Sequence, residues 1–430
     1  MNRTELKTAY ADVVVCGGGP AGFVAAISAA RAGLSAALVE RFGFFGGTAT
    51  AGLVVPISGF FKNEKRVVGG VPWEFIERLI ALNAAEIEMP KGHISVDPEY
   101  YKLVTQRMVL AEERITPYMN SVLVDAEAGE GSIRSVLISN KDGLTRLTAG
   151  VFIDATGDGD LCAMAGIPMD VSDAPQPMSL CFELTGVDVT TPLLRDCIRH
   201  NGYRGQPSCN AVIRSFLEER YASGEAPAFG GPWFNTLLNG DRLAVNMTRN
   251  AASALDARAY SAAECQMRED MFALVDLLRR TYPEFAHCAI ASSAVSAGVR
   301  EGRHLRGVYR LTGDDVMTGT DFPDTVAKCA HIIDIHDPGK TTQTIEKPPE
   351  AGNIPYRTMI SPDCSNLICA GRMISADSRA HASLRVQGTC MAIGQAAGIA
   401  AVMALGCGCP VGKVDPSELR KKLLALDAIC

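Results

Sequence analysis

Three glycines and one glutamate near the N-terminus have the residue types and spacing needed to bind a dinucleotide. Gly17, Gly19 and Gly22 form a G-x-G-x-x-G pattern directly after the apolar run Val13–Cys16, and an alanine-rich segment of helical character follows. The first glycine permits a tight turn, the second lets the backbone approach a pyrophosphate, and the third lets helix and strand pack closely. The pyrophosphate would lie on the free N–H groups at the positive end of the helix. A second apolar run ends in Glu40, the acid expected about 20 residues on to bind ribose hydroxyls. The alternative is a glycine-rich turn in an ordinary α/β unit.

Basic and imidazole side chains near the C-terminus form a second candidate for chemistry. His381 and Arg385 are four residues apart, immediately before a long segment rich in alanine and glycine. A guanidinium offers paired donors to a carboxylate, and a nearby histidine can polarise a bond or exchange a proton. We interpret the pair as an anion-binding site, with a surface loop carrying routine ion pairs as the alternative. Three further candidates for the same site are Arg303, His336 and Arg357. The alternative for Arg303 is a solvated turn, and the alternative for His336 is a structural hydrogen bond. Arg357 could face a cleft between domains.

Charge and hydropathy argue against two kinds of partner. The chain of 430 residues carries 41 basic and 48 acidic residues, a formal charge of −7, and has no basic block, so nucleic acid is not an expected partner. No run of 18 uninterrupted apolar residues occurs. The most apolar segment, residues 390–405, contains Gln395 and several glycines, and we interpret it as a buried helix. The sequence therefore predicts no membrane partner.

The cysteines favour a reduced compartment. Fourteen cysteines are scattered along the chain, and the polar N-terminal segment lacks an apolar signal core. We therefore expect a cytoplasmic protein without a disulfide framework. Cys407 and Cys409 form the one closely spaced pair, and surface thiols are expected there because no third or fourth metal ligand is near in sequence. We predict no metal site.

The remaining pattern predicts the elements that position these residues. Helices are expected over residues 72–82 and 97–114, the second with Asp97 as N-cap and Pro98 at its first position. Alternating segments at 121–125 and 132–139 indicate a β-meander, and the strand that begins at Val151 stops at an Ala-Thr-Gly turn. A strand over 367–370 precedes a long helix beginning near residue 388. In the middle of the chain, a capping box at 261–264 predicts a helix through residue 280. A short helix is expected over 321–328 and a strand over 332–338.

These pieces, in this order, resemble the glutathione-reductase-type (GR2-like) FAD flavoproteins. The glycine motif alone does not separate NAD from FAD, but residues 41–52 form a glycine-rich loop where a dehydrogenase would continue with further βα units. The C-terminal return NLICAGR also matches that superfamily. Within it the segments VVVCGGGPAG, VERFGFFGGTATAGLV and FIDATGDGDLCAMAG and the tail from Ile354 are similar to the bacterial FAD-dependent oxidoreductase family. His381 and Arg385 have the spacing of the H-G-x-N-R signature of the more distant fumarate reductase/succinate dehydrogenase flavoproteins. Ala and Leu replace its Gly and Asn, and Arg372 stands where that family has Glu.

The resemblance implies an α/β fold with two domains. A Rossmann-like FAD-binding domain with a β-meander would comprise residues 1–165 and 351–430, and an inserted α+β substrate domain residues 166–350. It also implies non-covalent FAD, because residues 43–52, which include the attachment position of the succinate dehydrogenase group, contain no His, Cys or Tyr. The cofactor-binding residues implied are Gly17, Gly19, Pro20, Ala21, Gly22, Glu40, Arg41, Gly46, Gly47, Thr48, Ala155, Thr156, Gly157, Asp158, Gly371, Arg372, Gly388 and Thr389.

The function implied is hydride transfer between flavin N5 and a small substrate that carries an oxyanion. Dehydrogenation of C–OH or C–NH and reduction of an activated C=C bond both fit. No second strand–GxGxxG–helix unit and no C-x-x-C occur, which argues against disulfide reductase chemistry. The alternative is a flavin subunit that passes electrons to partner proteins, although the cysteine spacings of iron–sulfur clusters are absent. The electron partner stays open, and a homo-oligomer is possible.

Overall fold

The computed structural model describes residues 6–90, 92–194, 209–237, 241–339 and 341–430. Its strands are β1 Lys7–Tyr10, β2 Val13–Cys16, β3 Ala36–Val39, β4 Phe61–Lys62, β5 Lys65–Arg66, β6 Ala85–Glu88, β7 His93–Val96, β8 Ile115–Tyr118, β9 Val122–Gly129, β10 Ser132–Asn140, β11 Gly143–Thr148, β12 Val151–Asp154, β13 Met169–Val171, β14 Phe182–Thr185, β15 Phe229–Thr236, β16 Leu243–Thr248, β17 Ala289–Ser293, β18 Arg303–Leu305, β19 Thr325–Cys329, β20 Ile333–His336, β21 Gln343–Glu346, β22 Gly352–Pro355 and β23 Leu367–Cys369. Its α-helices are α1 Pro20–Arg31, α2 Val71–Ala81, α3 Pro98–Leu110, α4 Asp160–Met164, α5 Cys209–Ala222, α6 Ala257–Thr281, α7 Gly313–Thr318, α8 Ser378–Leu384, α9 Gln387–Cys407 and α10 Pro416–Ala425.

A parallel sheet carries the N-terminal glycine motif. Its strand order is β23-β12-β2-β3-β8, and every neighbouring pair is parallel. The residues of β2, β3 and β12 are buried throughout, as in parallel sheets covered on both faces. The predicted α/β class with a Rossmann-like unit is confirmed, and the carboxyl ends of three neighbouring strands meet beside the start of α1.

The predicted meander is a second sheet beside the first. Strands β9, β10 and β11 pair antiparallel in sequence order, and β1 adds a parallel edge strand to β11. Both flanking helices predicted before the meander are present. Asp97 caps α3 as predicted, since its side chain accepts from the N–H groups of Glu99 and Tyr100.

A separate layer is inserted between the meander and the C-terminal strand. The antiparallel sheet β15-β16-β14-β17 packs with α5 and α6 around its own apolar core, whose members lie between Phe182 and Cys288. Buried residues from Leu305 to Ile354 belong instead to the large core of the parallel sheet. The packing therefore favours a shorter inserted unit than residues 166–350, and the domain limits stay a prediction.

In the middle region the predicted helix through residue 280 is present but begins earlier than predicted, and the helix predicted over 321–328 is wrong. Helix α6 begins at Ala257 with Asp256 as N-cap, whereas Ser261 lies inside the helix and donates to the Ala257 carbonyl. The Asp256 carboxylate accepts two N–H bonds, which makes the earlier cap. Residues 325–329 form strand β19, not a helix, because they pair antiparallel with β22. That pairing is non-local and leaves no signal in the local sequence.

Helix α9, the second-last α-helix, is the one helix among the described residues that is long and apolar enough to cross a membrane. In the structure 67% of its apolar window is buried, and its main neighbour is α1, as predicted for a core helix. At its end Cys407 and Cys409 are joined in a disulfide. The prediction of two surface thiols is therefore wrong, because the tight turn after the helix brings the two sulfurs together.

Helix α9 packs against α1 at backbone distance, and this contact gives a testable prediction. A Cβ added at Gly394 would lie 2.1 Å from the Ala21 carbonyl oxygen, whereas a Cβ at Gly406 on the same helix meets no atom within 4 Å. We expect Gly394→Ala to lower the free energy of unfolding by about 1–3 kcal/mol through overpacking. Gly406→Ala, the matched control, should raise it by up to about 1 kcal/mol. Denaturant unfolding measures both, and equal stabilities would contradict the close contact.

Candidate active site

One cavity of about 430 Å³ joins the elements described above. Its walls come from the ends of the parallel strands, the first residues of α1 and α9, and the inserted sheet. Of the predicted nucleotide-binding residues, the cavity is lined by Gly17, Gly19, Pro20, Ala21, Glu40, Arg41, Gly47, Thr48, Ala155, Thr156, Gly157, Asp158, Gly371 and Arg372. The structure therefore brings together residues that are up to 355 positions apart in the sequence.

The glycines at the start of α1 form a groove that side chains would close. Gly17 has a φ of +100°, and a Cβ there would lie 2.4 Å from the Ala155 carbonyl oxygen. A Cβ on Gly47 would lie 2.9 Å from the Gly19 Cα. Gly22 lies away from the cavity and packs against the Gly17 carbonyl, which is the close helix–strand contact predicted for it. Helix α1 has no side-chain cap, so its first N–H groups face the groove.

Glu40 lies at the end of β3 with its carboxylate on the cavity. Its Oε2 accepts from the Gly18 N–H at 2.8 Å and its Oε1 from the Phe42 N–H at 2.9 Å. Burial raises the pKa of Glu40, and the two N–H bonds oppose that rise. Two backbone bonds thus fix the carboxylate while leaving further lone pairs for hydroxyl donors.

The predicted contacts at the start of the long helix need correction. Gly388 and Thr389 do not line the cavity, because the Gly388 N–H donates to the Ser58 carbonyl and Thr389 is fully buried. The cavity is lined there by Val386, Gln387 and Cys390. The first turn of α9 therefore still opens on the cavity, but through other residues. Gly46, also predicted, lies behind the groove, where its N–H donates to the Gly18 carbonyl.

Two partly buried arginines form a cationic wall elsewhere on the cavity. Arg385 donates from Nη2 to the Asp334 carbonyl at 3.0 Å, and its buried Nε has no partner. Arg300 donates from Nη1 to the Pro177 carbonyl at 2.5 Å and to Ser179 Oγ at 2.9 Å. Burial, together with the charge of Arg385, lowers the pKa of Arg300 to about 10. This wall favours an anionic ligand, since a bound negative charge would relieve the repulsion between the two cations.

His336 and Asp334 form a hydrogen-bonded pair on the same wall. Nε2 of His336 lies 3.1 Å from Asp334 Oδ2, and Nδ1 has no hydrogen-bond partner among the described residues. Burial and the charge of Arg300 lower the pKa of His336 to about 3. Burial alone would raise the pKa of Asp334, but the bond from His336 and the charge of Arg385 hold it well below its usual range. The imidazole is therefore neutral. Its Nε2 faces the Asp334 carboxylate and, at 3.3 Å, the amide nitrogen of Gln343. We assign the N–H to Nε2 and the lone pair to Nδ1, because the carboxylate only accepts and the Gln343 amide donates to Asp334 Oδ1 at 2.7 Å.

Three of the five predicted catalytic residues lie outside the cavity lining. Arg303 bonds to the Asp158 carbonyl and to Asp160 Oδ1. Arg357 forms a two-bond ion pair with Asp324, and its side chain is 44% exposed. His381 is fully buried beneath the cavity wall, with both ring nitrogens against backbone carbonyls.

Arg385 and His336 do line the cavity, and the structure adds residues that the sequence analysis missed. Asp334 precedes His336 by two positions on β20 and so shares its face, a period-2 signal that was available in the sequence. Arg300 lies in the basic run that pointed to Arg303, and nothing local distinguishes the two. His331, also on the cavity, has its pKa lowered to about 3 by burial.

A family profile matches most of the chain. The profile of the family described as FAD dependent oxidoreductase matches residues 12–423. The chain therefore belongs to the FAD-dependent oxidoreductase family and is an enzyme with FAD as cofactor. The side-chain-free groove, the uncapped helix start and the carboxylate of Glu40 fit an adenine dinucleotide.

Individual relatives match over parts of the chain. Mitochondrial dihydrolipoyl dehydrogenase 1 of Arabidopsis thaliana is 25% identical over 159 residues, which are 37% of this chain and 30% of that protein. Dihydrolipoyl dehydrogenase of Trypanosoma brucei brucei is 65% identical over 37 residues, 9% of this chain and 8% of that protein. The chain thus spans less than a third of the length of these curated relatives.

Solved structures resemble the chain over nearly its whole length but at low identity. A geranylgeranyl bacteriochlorophyll reductase-like protein of Thermoplasma acidophilum aligns with a TM-score of 0.48 and 14% identity, over 97% of this chain and 83% of that one. The flavin-dependent brominase Bmp2 aligns with a TM-score of 0.48 and 13% identity, over 96% and 83%.

The position of Glu40 gives a prediction about cofactor affinity. Hydrogen bonds to charged groups contribute about 1.5–3 kcal/mol each, so Glu40→Ala should weaken FAD binding by about tenfold or more. Glu40→Gln keeps the size of the side chain and one acceptor oxygen, so its dissociation constant for FAD should lie between those of wild type and Glu40→Ala. Titration of FAD into apoprotein measures the dissociation constants. Equal constants for wild type and Glu40→Ala would place Glu40 outside the cofactor contacts.

The neutral state of His336 predicts a pH dependence of stability. Its pKa is about 3 in the folded chain against an ordinary 6.5, so the unfolded chain takes up a proton first as the pH falls. The stabilisation is complete above pH 6.5 and is lost progressively between pH 6.5 and 3. His336→Gln should reduce this loss, leaving a remainder from His331. Urea unfolding across the interval measures it, and an unchanged pH slope in the variant would contradict the assignment.

Proposed function

We propose that this FAD-dependent oxidoreductase acts on a small organic substrate whose oxyanion binds between Arg300 and Arg385. The observation that supports this most directly is the cationic wall formed by Arg300 and Arg385. Both guanidiniums line one cavity, the buried Nε of Arg385 has no hydrogen-bond partner, and its Nη2 lies 3.7 Å from Asp334 Oδ2. Burying cations with incomplete compensation is costly, and a carboxylate is the ligand that guanidinium groups bind best.

The proposed chemistry divides between the cofactor and the protein. When bound, FAD accepts or donates a hydride at N5 of its isoalloxazine, which is the redox part of the reaction. The protein binds the oxyanion through Arg300 and Arg385 and so orients the reacting carbon. For dehydrogenation of C–OH or C–NH, the carbon loses a hydride, the O–H or N–H loses a proton, and a C=O or C=N bond forms.

His336 is the proposed acceptor of that proton. Asp334 accepts from the Nε2–H and holds the ring in the tautomer whose lone pair is on Nδ1. In the free protein burial, and then the charges of Arg300 and Arg385, lower the pKa of His336. A bound anion that neutralises these cations would remove their part of the shift, so His336 is a stronger base beside substrate than in the free protein. Reduction of an activated C=C bond would use the same nitrogen as the proton donor.

Non-covalent attachment of FAD is also part of the proposal. Cys390 and His331 lie on the cavity and are chemically able to form a flavin linkage. However, burial raises the pKa of Cys390 to about 12, so its thiol stays protonated. FAD should therefore enter the supernatant on acid precipitation, and flavin retained in the pellet would contradict this part.

The anion site is tested by the side chain of Arg385. Arg385→Lys keeps the charge but loses the planar fork and should weaken binding of succinate or oxalate noticeably, while Arg385→Ala should weaken it by about tenfold or more. The readout is the change in the visible flavin spectrum when each anion is added. Both variants should keep FAD, since the Arg385 side chain bonds to Asp334 and not to Glu40 or to the glycines of the groove.

Arg357→Ala is the matched control, because Arg357 is an arginine outside the cavity lining, paired with Asp324. Its anion affinity should equal that of wild type. Equal affinity in Arg385→Ala would overturn the proposal.

The substrate itself is found by an anaerobic screen of small carboxylic acids. Bleaching of the flavin band identifies a substrate that the enzyme oxidises, and reoxidation of the reduced enzyme identifies one that it reduces.

A further inference from the structure

The buried His381 touches the backbones of three arginines that line the cavity. Its Nδ1 lies 3.1 Å from the Arg372 carbonyl oxygen, and its Nε2 lies 3.0 Å from the Arg300 carbonyl oxygen. Its own carbonyl accepts from the Arg385 N–H at 3.1 Å. The side chain is fully buried and lies outside the cavity lining, so it acts on a ligand only through other residues.

These three arginines belong to segments that are far apart in the sequence. Arg300 lies on the return from the inserted sheet, Arg372 follows β23 at the nucleotide-binding end, and Arg385 ends α8. Arg372 also donates to Asp158, a residue of the nucleotide-binding turn after β12. The imidazole thus occupies the junction between the segment that carries the anion site and the segment that carries the cofactor site.

The chemistry of the ring suits this junction. Burial lowers the pKa of His381, and the charges of His304 and Arg385 add to this effect, so the ring is neutral. A neutral imidazole has one N–H, so the ring donates to one carbonyl and fills the space against the other. On its flank His304 packs edge-on at 4.5 Å between ring centroids and is itself tied to Glu301. The position of the ring is therefore set by the two carbonyls that face its nitrogens.

We propose that His381 is a positioning residue that fixes Arg300 relative to Arg372, and thereby sets where a substrate oxyanion lies relative to the cofactor. The catalytic part of this inference rests on the proposed anion site. The contacts of His381 with the backbones of Arg300 and Arg372 do not depend on any substrate. It assigns a positioning role, not substrate contact, to the histidine that sequence analysis had placed on the substrate.

The test compares two buried imidazoles. His381→Leu removes the ring that bridges the arginines, whereas His304→Gln changes the neighbouring ring and keeps a donor for Glu301. We expect His381→Leu to retain FAD, to weaken succinate binding about tenfold, and to alter the visible circular dichroism of the flavin band because Arg372 shifts. His304→Gln should leave both readouts close to wild type. His381→Gln, which keeps one donor, should recover part of the anion affinity.

The outcomes separate this inference from the proposed function. If Arg385→Ala loses anion binding but folded, FAD-loaded His381→Leu matches wild type in both readouts, the positioning role is wrong and the anion site stands. If wild type binds no carboxylate, the proposed function fails and the flavin circular dichroism alone decides the role of His381. If His381→Leu does not fold, His381→Ala, which also lacks a donor, is measured in its place, and wild-type values for both readouts would overturn the inference.

Discussion

The close contact between α1 and α9 is the constraint on which the site depends. Gly394 and Gly398 lie against the backbone of α1 at Ala21 and Ala25, where any larger residue would separate the helices. The first residues of both helices consequently line the same cavity, and neither helix has a side-chain cap. Two positive helix ends thus converge on one volume, which favours an anionic cofactor before any charged side chain is considered.

The inserted layer continues the same electrostatic pattern with charged side chains. Arg300 comes from that layer and Arg385 from the helix before α9, and Asp334 lies beside Arg385 as a partial counter-ion. Burial lowers the pKa of His336, and the charges of these two arginines lower it further. Binding of an anion, the proton affinity of His336 and the positions of the two arginines are therefore coupled, so a change in one of them alters the others.

More of the residues predicted for the cofactor than of those predicted for the substrate line the cavity, for a physical reason. The βαβ unit, its glycines and Glu40 are local, and their spacing is dictated by one turn and one helix. Arg300 lies in an irregular stretch and Arg303 begins β18 three residues later, and only tertiary packing decides that the first faces the cavity. The strand at residues 325–329 likewise depends on a partner 27 residues downstream. Asp334 is different, since its alternation with His336 was readable in advance.

The His-x-x-x-Arg spacing fits two arrangements, one in which the histidine reaches the ligand and one in which it is buried. In a helix, residues four apart are linked by a backbone hydrogen bond, and here the His381 carbonyl accepts from Arg385. The intervening Ala382 and Leu384, which stand where the fumarate reductase signature has Gly and Asn, are both fully buried. A helix buried at these positions holds its histidine in the interior, where a ring finds backbone carbonyls and no ligand. The spacing thus fixes the link between the two residues, while the residues between them decide which of the two reaches the cavity.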